Sequence, residues 1–178
     1  GATGSWTIDQ SRAVREQQPD YLAMSYYEIW TAALEILLAE RGLVTETDLA
    51  AGHAVDPARP VARVLAAGQV AATLARGGPT EREATIPARF AVGDRVRTAT
   101  VPVPAGHTRL PRYVKGKVGT VTHLHGVHVF ADSNATAAGE APQWLYTVRF
   151  DGADLFGDEA DPTTSVSVDA WDSYLSPA

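Results

Sequence analysis

Three histidines, His123, His125 and His128, stand in an H-x-H-x-x-H spacing. Alternate residues of a strand share a face, so His123 and His125 would project together. Imidazoles so placed can bind zinc or copper. A hairpin rim often carries histidines without any ligand, however, and no nearby carboxylate is expected to complete a shell, so no metal site is assigned to this chain. A second concentration of chemistry is the run Gly106-His107-Thr108-Arg109-Leu110-Pro111-Arg112-Tyr113-Val114-Lys115-Gly116-Lys117. Its guanidinium groups offer planar forks of donors suited to carboxylate, phosphate or sulfinate oxygens, whereas its lysines act as point charges. The competing reading is a solvated basic face. A nucleic-acid role would need aromatic platforms among the basic residues, and only Tyr113 qualifies.

The remaining composition narrows the field. With no cysteine, the chain builds no disulfide, thiolate metal site or cysteine nucleophile of its own. A net charge of −6 argues against a dedicated nucleic-acid binder. The charge is nevertheless segregated: no acid falls between Asp94 and Asp132, where Arg95, Arg97, Arg109, Arg112, Lys115 and Lys117 lie, and no base falls between Asp151 and Asp172. No Ser-His-Asp spacing, phosphate-cradling glycine motif or H-E-x-x-H occurs. At 178 residues, with 45% hydrophobic and 20% charged, the chain reads as globular, one unit or a small two-part chain. Its apolar stretches, Tyr26 to Leu38 and Val61 to Leu74, are too short or interrupted to span a bilayer. The opening residues lack a signal-peptide pattern, so a cytoplasmic location is the default expectation.

The elements that must position these residues fall into two kinds. Residues 1–87 read as helical and residues 88–178 as strands, an α+β chain. A short helix follows Trp6-Thr7-Ile8-Asp9, and Pro19-Asp20 ends it. Tyr26, Ile29, Trp30, Ala33, Leu34, Leu37 and Leu38 recur at helical steps, with Ser25 and Glu28 as a capping box and Gly42 as the C-terminal cap. Thr45 and Asp48 cap another short helix through Ala51. Val61, Val64, Leu65, Val70 and Leu74 predict a helix ending near Gly77. Phe90 to Arg97 reads as a turn feeding a strand, and further strands are expected at Gly119 to His125, Val127 to Phe130, Trp144 to Phe150 and Ser165 to Ala170. Five short strands suit a small closed barrel of the SH3-like kind.

Several segments together resemble the β subunit of nitrile hydratase, in the family that also includes thiocyanate hydrolase. They are Tyr21-Leu22 with Ser25-Tyr26-Tyr27-Glu28-Ile29-Trp30, Glu40-Arg41-Gly42-Leu43-Val44-Thr45, Phe90-Ala91-Val92-Gly93-Asp94, the Gly106 to Lys117 run, Gly139 to Phe150, and Asp169 to Leu175. The resemblance covers nearly the whole chain and implies helices followed by an SH3-like barrel. It implies a subunit that binds no metal and is inactive alone, beside an α subunit whose Cys-x-x-Cys-Ser-Cys motif holds cobalt(III) or non-haem iron(III). Two of that partner's cysteines are oxidised to sulfinate and sulfenate, and by resemblance Arg12 and Arg109 pair with their oxygens. The reaction implied is hydration of a nitrile to an amide, with Tyr26 lining the pocket, Trp30 sharing its face, and Ile8 and Ser11 facing the substrate. Ser11 stands where relatives generally carry a bulky aromatic, which implies a wider pocket. Ile29 stands where many carry a histidine, so no proton relay is assigned there. The N-terminal arm that usually wraps the α subunit does not precede these residues, which implies either a truncation or a third small chain that supplies it. The alternatives are an accessory protein for α-subunit metal insertion and a thiocyanate hydrolase subunit. A free-standing binding module for anionic partners is the third class.

Overall fold

The computed structural model describes residues 3–100 and 108–178, so Gly106 and His107 of the basic run lie outside the described residues. The chain divides into two compact units, Gly1–Gly78 with Asn134–Ala137, and Pro79–Ser133 with Ala138–Ala178.

The first unit is helical. Helix α1 (Ile8–Glu16) opens on a reciprocal cap, in which Thr7 Oγ1 accepts from Gln10 N at 3.2 Å and Gln10 Oε1 accepts from Thr7 N at 2.9 Å. Helix α2 (Tyr26–Glu40) starts where Glu28 Oε2 accepts from Ser25 N at 2.7 Å. It stops where Gly42 takes φ +60° and Leu43 N returns to Leu38 O, a left-handed termination open to glycine at little cost. Helix α3 (Glu46–Ala51) carries the Thr45–Asp48 box.

The helix expected from Val61 is shorter than its spacing predicts. Residues 61–66 are not helical, a 3₁₀ turn covers Ala67–Gln69, and α4 is confined to Val70–Arg76. Val64 and Leu74 are 79% and 75% exposed, so their apolar spacing has no core to pack on. A short helix without that packing does not propagate through β-branched residues that follow Pro60.

The second unit is a six-stranded antiparallel sheet of β1 (Glu81–Arg82), β2 (Arg95–Thr98), β3 (Val118–His128), β4 (Gln143–Asp151), β5 (Ser165–Trp171) and β6 (Leu175–Pro177). Its path is β5-β4-β3-β2-β6, with β1 paired to β3 off that path. Among the described residues no ladder joins β5 to β6, so the expected closure into a barrel is not part of this sheet. The short β1 and β6 limit the open edges instead, with Pro177 removing a donor. The strands expected at Gly119 to His125 and Val127 to Phe130 are one strand, β3, with register shifts between Val121 and His123 and between Leu124 and Gly126. Gly126 takes φ +97° at the second shift.

Inward residues of β2, β3 and β4, among them Val96, Val121, Tyr146, Val148 and Phe150, make the core. A 3₁₀ turn, Asp172–Tyr174, leads from β5 to β6 and is pinned at its first residue. There Asp172 Oδ1 accepts from Arg89 Nη1 at 2.6 Å and Oδ2 from the Tyr146 hydroxyl at 3.3 Å. Helices α5 (Ala131–Ala135) and α6 (Gly152–Phe156) follow β3 and β4.

Candidate functional site

Three of the residues selected from the sequence meet in one groove. Ile8 and Ser11 of α1 and Trp30 of α2 line a cavity of about 480 Å³ together with Trp6, Tyr27 and Leu34. The helical period explains the set, since Tyr27, Trp30, Thr31 and Leu34 recur at three- and four-residue steps along α2. Tyr27, rather than Tyr26, belongs to the lining, and that same spacing in the sequence identifies it. Tyr26 stands beside it, its ring 5.8 Å from Trp30 and 5.2 Å edge-on from Tyr27. The walls are largely apolar, with Thr7, Ser11, Tyr27 and Thr31 as hydroxyl carriers, so the groove suits a small organic molecule held by shape and ring contact.

Sequence reasoning missed Arg15. Its guanidinium lies 3.7 Å from the centre of a Trp30 ring, and its Nε donates to Ser11 O at 3.1 Å. Burial, and after it the charge of neighbouring Arg12, lowers its pKa from the ordinary arginine value. Arg15 thus fixes Trp30 against α1 by a cation–π contact. Arg12 is half-buried on the same helix, and among the described residues it has no side-chain hydrogen bond or ion pair. A guanidinium kept without a carboxylate is suited to an anionic group on another molecule.

Arg109 belongs to the second unit. It follows the undescribed residues and precedes Leu110, which is buried, and a 3₁₀ turn at Arg112–Val114 whose Val114 is fully buried. Its backbone N–H donates to Asp132 Oδ1 at 3.0 Å and lies 3.3 Å from the Tyr174 hydroxyl. That hydroxyl in turn donates to Asp132 Oδ2 at 2.5 Å. Burial first, and then the bond to Asp132, push the Tyr174 phenol well above its ordinary pKa. Neither Asp132 nor Tyr174 was selectable from spacing, because 23 and 65 residues separate them from Arg109.

The histidine cluster differs from its expectation in one respect. His123 and His125 do share a face, their rings 4.6 Å apart. A carboxylate does stand near: Asp169 Oδ1 is 3.3 Å from His125 Nε2 and accepts from Thr147 Oγ1 at 2.7 Å. The ladders β3–β4 and β4–β5 bring it there, by pairing His123 with Thr147 and Thr147 with Asp169. His128 turns away to Thr80 Oγ1 and the His125 carbonyl. Among the described residues no group of three His, Asp or Glu side chains is arranged to hold a metal ion.

Two family models divide the chain as the two units do. The N-terminal model of the nitrile hydratase beta subunit matches residues 1–72 and the C-terminal model residues 79–177. The chain belongs to the nitrile hydratase β-subunit family. The low-molecular weight cobalt-containing nitrile hydratase subunit beta of Rhodococcus rhodochrous is 37% identical over 183 residues, which cover 98% of this chain and 81% of the relative. The nitrile hydratase subunit beta of Pseudomonas putida is likewise 37% identical, over 99% of this chain and 81% of its own. A solved structure of the recombinant apo-enzyme of thiocyanate hydrolase from Thiobacillus thioparus matches 52% of this chain and 78% of its own at 29% identity, with a TM-score of 0.48.

Proposed function

We propose that this chain completes the active site of a cysteine-bearing α subunit that hydrates a nitrile to an amide, and that it has no activity alone. The observation that carries the reading is the aromatic face of α2. Tyr26, Tyr27 and Leu34 are 64%, 78% and 46% exposed, beside Arg12 on α1, which has no side-chain hydrogen bond or ion pair among the described residues. An apolar patch of this kind marks an interaction surface. With no cysteine in the chain, the metal belongs to the partner, where it supplies Lewis-acid chemistry to the nitrile or its nucleophile. Cobalt is the metal named for the Rhodococcus rhodochrous relative.

The part played by this chain is positioning and electrostatics. Arg12 and Arg109 pair with oxidised cysteine oxygens of the partner, whose charge is costly to bury without cations. Ile8, Ser11 and Trp30 enclose the body of the nitrile, and the Tyr26 hydroxyl donates near the reacting group. Residues 1–87 contact the partner, and residues 88–178 form the SH3-like half. The 3₁₀ crossing from β5 to β6 and the bulged β3 support that half of the reading.

Native mass spectrometry with elemental analysis on the chain purified from its own cells tests the proposal. A cysteine-bearing partner with one cobalt or iron per assembly is the expected result, and any third chain that supplies an N-terminal arm appears in the same spectrum. A metal-free chain alone, under conditions that preserve complexes, overturns it. In the assembly, Arg109→Ala abolishes turnover with little change in the fold of the chain, and wild-type turnover in that variant refutes the role of Arg109.

A further inference from the structure

Arg109 is held by its backbone. Asp132, in the first turn of α5, accepts from the Arg109 amide on one carboxylate oxygen and from the Tyr174 hydroxyl on the other. Tyr174 is 7% exposed, and its ring packs edge-on against Phe130 at 5.6 Å and Trp171 at 6.1 Å. The hydroxyl therefore has a fixed address. Burial raises its pKa, which favours the protonated hydroxyl that donates to Asp132. On the flanks, Leu110 N donates to Thr108 Oγ1 at 3.2 Å, and Thr108 Oγ1 is 3.4 Å from the same hydroxyl. Three segments distant in sequence thus converge on one peptide group.

We propose that Asp132 is a positioning residue for Arg109, orienting the guanidinium through its main-chain amide with Tyr174 as the brace. The inference rests on the role given to Arg109 above. A carboxylate is the suitable group, because its two oxygens accept both donors at once and charge-assisted bonds are the stronger kind. An asparagine keeps a carbonyl oxygen for the amide but turns an NH2 donor toward the tyrosine hydroxyl and loses the charge.

The test uses the assembly with the α subunit and three variants, Asp132→Ala, Asp132→Asn and Tyr174→Phe. Two readings are taken: hydrogen exchange of the peptide holding residues 108–110, and kcat and KM for a nitrile. In Asp132→Ala the exchange at Arg109 rises about tenfold or more and kcat falls by a similar factor, while protection of β3 and β4 is unchanged. Asp132→Asn recovers part of both, and Tyr174→Phe, which keeps the ring packing, gives intermediate values. If the alanine variant does not assemble, the asparagine and phenylalanine variants decide by the same two readings. Wild-type exchange at residues 108–110, or wild-type kcat alongside an inactive Arg109→Ala assembly, overturns the inference. Full turnover in Arg109→Ala instead removes the role of Arg109 and leaves the exchange result to report on the clasp alone.

Discussion

Ser11→Phe is the substitution that best interrogates the groove. Ser11 faces a cavity of about 480 Å³ whose other walls include Ile8, Trp30 and Leu34. A phenyl ring at this position occupies the space beside Trp30 and gains an aromatic contact of about 0.5–1.5 kcal/mol, so the fold is not weakened. A heteroaromatic nitrile in the same space loses its apolar partners. Burial of a large apolar group contributes about 1.5–3 kcal/mol, so the expected loss in kcat/KM is roughly 10- to 100-fold. Acrylonitrile, far smaller, keeps most of its rate. The assay is steady-state hydration of 3-cyanopyridine and acrylonitrile by wild-type and variant assemblies, with thermal melting as the control. An unchanged ratio of the two kcat/KM values, at unchanged melting temperature, refutes the assignment of this groove to the substrate.

Two further predictions concern the scaffold. A Cβ at Gly119 would meet Val148 Cγ1 at 2.6 Å, the Arg149 carbonyl oxygen at 2.8 Å and Phe150 Cδ1 at 2.9 Å. Gly119→Ala is therefore expected to cost about 1–3 kcal/mol in urea unfolding, and an unchanged midpoint would count against this packing. The Asp48 carboxyl is held down to about 2, first by the Val55 amide and then by Thr45. Because its folded pKa is depressed, its contribution is complete above its ordinary value of 3.8 and is lost as pH falls through about 2. Carbon-detected NMR titration reads that midpoint directly, and a value near 4 would contradict the bond to Val55.

The helices α2 and α3 were legible because their starts and stops are written locally, in Ser25 with Glu28, Thr45 with Asp48, and Gly42. The α1 cap was equally local, in Thr7 and Gln10, but glutamine is a less conspicuous partner than glutamate. Val61 to Val64 misled because apolar spacing reports a helix only when something packs on it. On the sheet side, alternation located β2, β4 and β5, whereas Gly126 read as a break and was a bulge inside one strand. The short β1 and β6 carry too few residues for a period to show. Among site residues, Ile8, Ser11, Arg12, Tyr26, Trp30 and Arg109 were named through a family resemblance rather than from spacing. The structure brings three of them, Ile8, Ser11 and Trp30, to one groove. Asp132, Tyr174 and Asp169 were invisible because ladders and long-range contacts bring them to their partners, and a linear pattern carries no trace of that.

The span between Arg109 and Tyr174 also bears on the order in which the molecule matures. Sixty-five residues separate the two, and β3, β4, β5 and the 3₁₀ turn all lie within the loop that their contact closes. Non-local contacts of this length are slow to close, and they reward the chain only when the intervening structure exists. The backbone anchor of Arg109 is thus a property of the finished sheet and not of any one segment of the chain.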